Sequence, residues 1–548
     1  MPTITNADIN QTILVTLYLK RDLHENGQSL LEYVKGITTK ENPTLTHEEF
    51  TYQFGTTEED IKLVTDYVIS KGLTIDDSCR LKSTIKVLGT IGTFNDIFSI
   101  TLQTVVDVDR TYITHDGNIT IPVEISSVVE NVLGLDNKIV VARPSAVKFV
   151  EEEYVPPENV PPGVYVGAVT PVEVANAYGI PAGDGYGGCI GIYELTYYGY
   201  QTGWNQTDVN NSFNRIGITP PTIVTINTDG VTTLTTSDAE SMLDIYCAGA
   251  VAPRAKIAYY NAPNSFQGVI DNFLTVAADT TNNPETISCS WAFGDYLPGT
   301  WFGLAMAACS ALGITVLVAS GDAGAQNYDM YSPYGITTDP SACICGGTTI
   351  YLSNDKQSYS QEIGWSGSGG GISNVNTLPS YQVGCKYTTK TLGGVVGTPT
   401  QLPRRGVPDI SAPSDPGTGF QFYLNGFLSQ YGGTSAAAPW LAGMIVRFNV
   451  LTSKRMGHIN EFFYNNTSTY RDTPLGDNVR GYANGYTCTA NSWDAVTGLG
   501  SPYGPGIYTL LKKEMKVSYP KVNYGYRSSN KQRYPRYTTG VSGRTNNS

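Results

Sequence analysis

The chain has 548 residues, of which 41% are hydrophobic and 15% are charged. This length allows two or three domains, and the composition is that of a folded globular protein rather than a disordered chain or a coiled coil. The formal net charge is −13, but residues 511–548 contain nine Lys and Arg against one acid, so this end carries +8 and the remainder −21. An acidic body of this kind argues against general nucleic-acid binding.

The hydropathy pattern shows no targeting or membrane segment. The sequence begins Met-Pro-Thr-Ile-Thr, without a basic n-region or an apolar h-region, so we expect no Sec signal peptide. No apolar run approaches the roughly 18 residues needed to span a bilayer.

The nine cysteines are an odd number without framework spacing, which favours synthesis in a reducing compartment. Cys289 and Cys309 lie in apolar segments and are predicted to be buried free thiols. Cys343 and Cys345 lack a second pair or nearby histidines, so we do not expect them to bind a metal.

Residues 1–150 alternate short strand patterns with amphipathic helices. Alternation at 15–19 predicts a strand, Thr46 begins a capping box that opens a helix, and 57–71 has helical spacing closed by Gly72. Strands interleaved with helices predict a small α+β domain of ferredoxin-like architecture.

A Pro- and Glu-rich segment, 151–163, follows as an extended linker and a natural site for cutting. In 164–511 the apolar runs become continuous rather than alternating, which is typical of parallel strands covered on both faces. We predict one α/β domain with a parallel sheet flanked by helices. The predicted strands lie at 189–193, 256–260, 286–291 and 314–320, and the predicted helices at 237–250, 298–312 and 435–449.

The basic tail, 512–548, interleaves Tyr with Arg and Lys and has no hydrophobic pattern. It is interpreted as a disordered, solubilising end, or alternatively as a tether for an anionic partner.

Ser435 is the first candidate for chemistry. It follows Gly-Gly-Thr and precedes Ala-Ala-Ala-Pro and an apolar run, which places its hydroxyl at the start of a buried helix. Backbone N–H groups and the helix dipole favour developing negative charge there. The alternative is a simple helix cap.

The base that would activate Ser435 cannot come from a histidine in the same domain. The chain has four histidines, three of them within 1–150, and His458 follows the serine in an unremarkable polar stretch. A hydroxyl needs a base to become a nucleophile, so acidic residues are the candidates. Such an enzyme would work at low pH.

Glu240 and Asp244 are four residues apart in a segment that opens with Ser237 as its predicted cap. This spacing puts both carboxylates on one helix face amid apolar residues, which raises at least one pKa and creates a usable general base. Taken alone, the pair could equally be solvated helix acids.

Asp322 ends a buried apolar run, where α/β sheets place their functional loops. It is either a turn residue or, when protonated, a hydrogen-bond donor to an oxyanion.

These segments together resemble the sedolisins, the serine-carboxyl peptidases, most closely the kumamolisin branch. The motifs are Ala239-Glu240 with Asp244, Ser320-Gly-Asp322 and Gly433-Thr-Ser435-Ala-Ala-Ala-Pro, in the order found in that family. The resemblance extends to about residue 510 and includes segments similar to the family's activation domain. It implies a subtilisin-like α/β domain behind a prodomain.

The resemblance assigns roles residue by residue. Ser435 would be the nucleophile, Glu240 its general base, Asp244 the residue that orients the glutamate and Asp322 the oxyanion donor. Glu194 and Trp291 match the residues that extend the hydrogen-bond chain in the kumamolisin branch. Ala292 stands where the family usually has glycine, which puts specificity in doubt.

A calcium site is implied in the same way. Two aspartates and three backbone carbonyls in the family's C-terminal loop hold one Ca²⁺, as a hard cation requires. The matching residues are Asp472, Thr473, Ala490, Ser492 and Asp494. The family prefers glycine at the positions of Ala490 and Ser492.

The sequence therefore predicts an acid-acting endopeptidase made as a self-processing zymogen. A tripeptidyl exopeptidase on the same scaffold and a non-catalytic binding or structural relative remain alternatives.

The expected partners are polypeptide substrates and the chain's own prodomain as inhibitor, in a monomer. The sequence does not assign a location: no signal peptide is expected, and the enzyme would act in an acidic or extracellular setting or be packaged in a particle.

Overall fold

The computed structural model describes residues 2–108, 110–140, 147–149, 160, 162–196, 202–291, 293–294, 300–325, 337–481 and 483–516. Most of the predicted linker, Ala292 and the tail beyond residue 516 lie outside the described residues, so those predictions stay predictions. No helix in the described part of the chain is long and apolar enough to cross a membrane.

The N-terminal part combines two antiparallel sheets with four helices. Its strands are β1 (Thr3–Asn6), β2 (Thr12–Leu19), β3 (Thr74–Cys79), β4 (Thr84–Thr90), β5 (Thr101–Asp107), β6 (Arg110–Asp116) and β7 (Val129–Leu133). Its helices are α1 (Leu30–Thr38), α2 (His47–Phe54), α3 (Glu58–Ser70) and α4 (Ile91–Phe98).

The larger of these sheets has the strand order β3-β4-β2-β7, with every pair antiparallel. With α3 between β2 and β3 and α4 between β4 and β7, this is the βαββαβ arrangement of a ferredoxin-like unit. The capping box at Thr46 is confirmed, because its hydroxyl accepts from Glu49 N at 3.2 Å and Glu49 accepts from Thr46 N at 2.9 Å.

The following part contains many short strands and one large sheet. Its strands are β8 (Val147–Lys148), β9 (Val164–Tyr165), β10 (Cys189–Thr196), β11 (Ile223–Asn227), β12 (Lys256–Pro263), β13 (Thr286–Cys289), β14 (Thr315–Ala319), β15 (Cys343–Ser353), β16 (Tyr359–Gly364), β17 (Gly371–Ile372), β18 (Lys386–Tyr387), β19 (Thr389–Thr391), β20 (Thr400–Gln401), β21 (Gly406–Val407), β22 (Ile410–Pro413), β23 (Phe420–Leu424), β24 (Phe427–Gly432), β25 (Tyr470–Arg471), β26 (Asn484–Tyr486) and β27 (Ser501–Pro502). Its α-helices are α5 (Pro171–Ala177), α6 (Gln206–Arg215), α7 (Ala239–Val251), α8 (Phe266–Ala278), α9 (Trp301–Ala311), α10 (Thr434–Thr452), α11 (Asn460–Tyr464) and α12 (Gly504–Lys516).

The central sheet has nine strands and runs β11-β12-β10-β13-β14-β15-β16, with β22 and β9 also paired to β15. All its pairs are parallel except those of β15 with β16 and with β9. The predicted parallel sheet is confirmed, and its antiparallel edge is an addition that the sequence pattern did not reveal. The described cysteines are all free, and Cys289 and Cys309 are buried as predicted.

Two buried helices cross close together on one side of this sheet. A Cβ on Gly443 of α10 would lie 2.5 Å from the carbonyl oxygen of Ala248 in α7, so only glycine allows this approach. The predicted cap of α7 was wrong: Asp238, not Ser237, accepts from Ser241 N at 3.0 Å. The predicted helix itself is confirmed, because Asp caps a helix as well as Ser does.

The N-terminal part docks on α8 and α9 through a buried polar cluster and an apolar surface. Lys86 of β4 forms ion pairs with Asp229 and with Asp271 of α8, the latter at 2.9 Å. Thr16 and Tyr18 donate to the carboxylate of Asp271 at 2.8 and 2.7 Å. Because these side chains are almost fully buried, the contact fixes one docking position rather than a loose encounter.

Candidate active site

Three of the predicted site residues lie at one edge of the central sheet. Glu194 is near the end of β10, Trp291 follows β13, and Asp322 follows β14. These strands are parallel and adjacent in the sheet. Their carboxyl ends therefore meet at the same edge, which is where α/β folds place ligands.

Ser435 lies at the start of α10 with its side chain fully buried. Its Oγ forms no hydrogen bond to any residue that the structure describes. A buried hydroxyl normally has a partner, and an exception calls for an explanation, such as a catalytic role. The hydroxyl lies in the first turn of a buried helix, where the helix dipole favours negative charge.

Asp322 is fixed against the residue that precedes Ser435. Its Oδ1 accepts from the backbone N of Thr434 at 2.6 Å and from the Thr434 hydroxyl at 3.0 Å. Gly433 has φ of 108°, and a Cβ there would come within 2.9 Å of Asp322 Oδ2. Glycine is therefore required both by the backbone conformation and by the close approach of the carboxyl group.

Burial raises the pKa of Asp322 to about 6, although the residue keeps some contact with solvent. The Thr434 hydrogen bonds and the charge of Arg480 act in the opposite direction. The group is thus protonated in mildly acidic solution, and a protonated carboxyl can donate a hydrogen bond.

Glu240 and Asp244 are both buried on α7, so the alternative interpretation, a pair of solvated helix acids, was wrong. Burial, followed by the charges of Glu240 and Glu194, raises the pKa of Asp244 well above its usual value. The hydroxyl of Ser290 lies 2.9 and 3.1 Å from the two carboxylate oxygens of Asp244 and 3.5 Å from the carbonyl oxygen of Ser435. Ser290 thus connects the helix of the acids to the helix of the serine.

Glu194 and Trp291 are brought together as the resemblance implies. The indole Nε1 of Trp291 donates to Glu194 Oε2 at 3.0 Å. The Ser241 hydroxyl lies 3.5 Å from Glu194 Oε1 and 2.7 Å from the hydroxyl of Tyr259. Glu194 is therefore joined by buried hydrogen bonds to Ser241 of α7 and, through it, to Tyr259 of β12.

His458 does not take part in this network. Its Nε2 lies 2.8 Å from the carbonyl oxygen of Pro340, and its ring lies beside Tyr381. Burial lowers its pKa, which favours a neutral structural histidine. The acids remain the candidate bases for Ser435.

Ser290, Ser241 and Thr434 are contributors that the sequence reasoning did not single out. Ser290 could have been found, because it lies at the carboxyl end of the predicted parallel strand 286–291. Ser241 and Thr434 carried no signal beyond their proximity to Glu240 and Ser435, since Ser and Thr are common in first helical turns.

The residues predicted to bind calcium lie in a separate loop. Asp494 is fully buried, and its carboxylate accepts from the N–H groups of Val496 and Thr497 at 3.0 and 2.8 Å. Asp472 accepts from Asn491 N at 2.7 Å. Burial raises the pKa of Asp494 to about 7, against the backbone hydrogen bonds that it accepts, and the charge of Asp472 adds a smaller contribution.

The described residues contain no cluster of three or more His, Cys, Asp or Glu side chains placed to hold a metal. A site with two aspartates would have to be completed by backbone carbonyls.

The end of the N-terminal part reaches the strand that leads to Ser435. Val147 pairs with Gly432 and Lys148 pairs with Tyr431 in an antiparallel bridge, and Phe149 N donates to Gln430 O at 2.9 Å. The chain therefore passes beside the strand that precedes Ser435, just before the predicted linker.

Comparison with known proteins gives consistent results. Residues 3–138 match the family model described as "Pro-kumamolisin, activation domain". The chain is 31% identical to kumamolisin of Bacillus sp. (strain MN-32) over 538 residues, covering 93% of this chain and 94% of that protein. It is 31% identical to tripeptidyl-peptidase sed4 of Aspergillus fumigatus over only 35% of this chain and 36% of that protein.

A solved structure supports the same fold. Pseudomonas sedolisin, described as a serine-carboxyl proteinase in complex with pseudo-iodotyrostatin, aligns with a TM-score of 0.52 at 24% identity. The alignment covers 64% of this chain and 100% of the sedolisin chain. The predicted subtilisin-like α/β architecture is confirmed by this likeness.

Proposed function

Because this chain belongs to the sedolisins, the serine-carboxyl peptidases, and is a kumamolisin-like serine-type peptidase made with an activation domain, we propose that it is an acid-acting endopeptidase that processes itself. The observation that carries the proposal is the buried Ser435 hydroxyl, which lacks a partner among the described residues, next to a network of buried acids. Peptide hydrolysis would proceed by acyl transfer through a Ser435–Glu240–Asp244 triad.

In the first step Ser435 Oγ attacks the substrate carbonyl carbon while Glu240 takes the hydroxyl proton. Asp244, whose raised pKa keeps it protonated, holds a proton beside Glu240 and so supports the glutamate in its ionised form. Ser290 fixes the position of Asp244 by hydrogen bonding. Glu240 then returns the proton to the leaving amine, and water releases the acyl group by the reverse sequence.

Asp322 would stabilise the tetrahedral intermediate. Its Oδ1 is taken by Thr434, while Oδ2 forms no hydrogen bond to any described residue. Protonated on Oδ2, the carboxyl could donate to the oxyanion beside Ser435, which is the kind of preorganised donor that contributes most to acyl transfer. Since the pKa of Asp322 is about 6, the donor is lost as the pH approaches neutrality.

Self-inhibition is supported by the course of the chain. We place the prodomain at 1–150, the processing linker at 151–163, the peptidase domain at 164–511 and the basic tail at 512–548. Val147 and Lys148, just before this linker, pair with the strand that precedes Ser435, which supports a prodomain that ends beside the candidate active site. Cleavage within the linker would free this strand for polypeptide substrates.

A structural Ca²⁺ ion fits the loop of Asp472 and Asp494. Burial raises the pKa of both carboxylates, and the charge of Asp472 adds to the shift of Asp494. The described residues show no ion pair for either, so a bound cation would stabilise their ionised forms. Thr473, also fully buried, has a side-chain oxygen without a partner among the described residues. The carbonyls of Thr473, Ala490 and Ser492 would complete an oxygen set that suits Ca²⁺. The ion's contribution would be stability of the loop.

Two alternatives remain attached to this proposal. A tripeptidyl exopeptidase has some support from the partial match to tripeptidyl-peptidase sed4. A non-catalytic relative would be expected to have lost a catalytic position, and none is lost. We also propose a monomer, and an anionic partner for the basic tail.

The proposal is tested by incubating acid-treated protein with a peptide of about ten residues whose N-terminus is acetylated. An endopeptidase cleaves it internally between pH 3 and 6, whereas a tripeptidyl exopeptidase cleaves only the unblocked peptide. The Ser435→Ala variant provides the blank. Equal hydrolysis by the variant would remove Ser435 from the active site.

A further inference from the structure

We propose that Arg480 is a positioning residue for the oxyanion aspartate, holding the Asp322 loop and, through its charge, setting the upper pH limit of activity. The inference deepens the proposed function and rests on it. Arg480 is not part of any motif noted in the sequence, and it lies 158 residues from Asp322 along the chain.

The first observation is a direct contact. The guanidinium Nη1 of Arg480 donates to the backbone carbonyl oxygen of Asp322. The guanidinium also lies over the ring of Trp365, 5.9 Å from its centroid, which holds the side chain along one surface. Arg480 itself has φ of 41°, an uncommon conformation for a residue with a side chain. A strained residue that persists beside a candidate active site suggests a functional role.

The second observation concerns the segment around Arg480. Asn478, fully buried, accepts from Ala325 N at its backbone carbonyl, at 3.0 Å. A Cβ on Gly324 would lie 2.5 Å from the same oxygen and 3.4 Å from the Arg480 side chain. The loop that carries Asp322 therefore packs against residues 478–480 in addition to its contact with Thr434.

The third observation is the charge balance around Asp322. Among the described residues, Thr434 supplies neutral donors to its carboxyl, and the charged group that faces it is the Arg480 guanidinium. The same guanidinium also acts on Asp415, whose carboxylate is already engaged by Thr349 and Gly417 N. A cation beside Asp322 favours the ionised form and so opposes the burial that keeps the carboxyl protonated.

Two effects follow from this geometry. Removal of the guanidinium should let the Asp322 loop shift and lower kcat, because catalytic groups must be held closely in place. Removal of the positive charge should also keep Asp322 protonated to a higher pH, so the alkaline limb of the kcat profile should move upward. A residue that served only to stabilise the fold would lower kcat when removed without moving the alkaline limb of the profile.

The experiment compares kcat–pH profiles of the processed enzyme for wild type, Arg480→Met and Arg480→Lys. We expect the alkaline midpoint of Arg480→Met to rise by roughly 0.5 to 1 pH unit, a shift kept small because the arginine is exposed to solvent. Arg480→Lys retains the charge and should keep the wild-type midpoint. Arg254→Met is the matched control, since Arg254 also stacks on a tyrosine and pairs with an aspartate, Asp184, at the surface.

The background variant Asp322→Asn separates the inference from the function on which it rests. If Asp322→Asn moves the alkaline limb, and Arg480→Met moves it in wild type but not in the Asp322→Asn background, the inference holds. If Asp322→Asn moves the limb and Arg480→Met leaves it in place, Arg480 has no such role while the proposed function stands. If Asp322→Asn itself leaves the limb unchanged, the oxyanion role of Asp322 fails, and the inference with it.

Discussion

The docking of the N-terminal part depends on one buried cation, and its removal gives a large, pH-dependent loss of stability. Lys86 lies between Asp229 and Asp271, with side-chain exposures of 7%, 3% and 2%. Replacing Lys86 by Met leaves two buried carboxylates without a counter-charge. Removing one partner of a buried ion pair costs about 3 kcal/mol or more.

This loss should depend on pH in a defined direction. In the wild type, burial raises the pKa of Asp229 to about 7, with the charge of Asp271 adding to the shift and Lys86 opposing it. A raised folded-state pKa gives stability that is fully present below the unfolded value near 4 and is lost as the pH rises. Without Lys86 the folded pKa rises further. The difference in stability between variant and wild type should therefore be larger at pH 8 than at pH 5.

The assay is thermal unfolding of the precursor in a Ser435→Ala background, which prevents processing. A loss of about 3 kcal/mol lowers the midpoint of the first transition by roughly 6 °C or more if a unit of about 150 residues unfolds. Lys62→Met is the control, because the Lys62–Asp66 pair is exposed and worth about 0.5 kcal/mol at most. Equal midpoints for the Lys86 and Lys62 variants, or a loss independent of pH, would refute the reasoning.

Three further outcomes are expected. Asp322→Asn keeps a neutral donor at every pH, so the alkaline limb of the activity profile, near pH 6 in wild type, should move up by at least about one pH unit. The peak rate can fall at the same time, but a profile of unchanged shape would contradict the oxyanion role of Asp322. Ser290→Ala should lower kcat about tenfold, because Asp244 loses its buried hydroxyl donor. The control Ser288→Ala should change kcat little, because the buried Ser288 hydroxyl has no partner among the described residues; similar kinetics for the two variants would count against the role of Ser290 in holding Asp244. Chelation should lower the melting temperature of the processed enzyme more than it changes kcat, since an ion bound only by the folded loop of Asp472 and Asp494 stabilises by mass action. An unchanged melting temperature, with no bound metal detected, would refute the proposed Ca²⁺ site.

Much of the fold could be predicted because its strongest signals are local. Continuous apolar runs identified β10, β12, β13 and β14, and capping residues identified α2 and α3. The antiparallel edge of the sheet was not predicted. β16 follows β15 after five residues but contains no continuous apolar run, and β9 has only two residues, too few to show a pattern. The cap of α7 was wrong by one residue, since Ser237 and Asp238 both suit the position.

The candidate site divides in the same way. The sequence pattern singled out Ser435, Glu240, Asp244 and Asp322, and the resemblance assigned their roles. The structure adds two hydrogen bonds between Asp322 and Thr434 and two distances within hydrogen-bond range between Asp244 and Ser290. Thr434 lies 112 residues from Asp322 along the chain, and Ser290 lies 46 residues from Asp244, so neither contact leaves a local pattern in the sequence. Arg480 could not be found from the sequence, because an exposed arginine in a loop is ordinary until its neighbour is known.

The central claim is that Ser435, activated by an acid rather than a histidine, cuts the chain's own linker at low pH. Purified precursor would be incubated from pH 3 to 7 and followed by mass spectrometry of the intact protein, with Ser435→Ala and Glu240→Gln in parallel. We predict cleavage within 151–163 for wild type, fastest below about pH 6, and an uncut precursor for both variants. Cleavage of either variant at the wild-type rate, or wild-type processing that is fastest at pH 7, would contradict the claim.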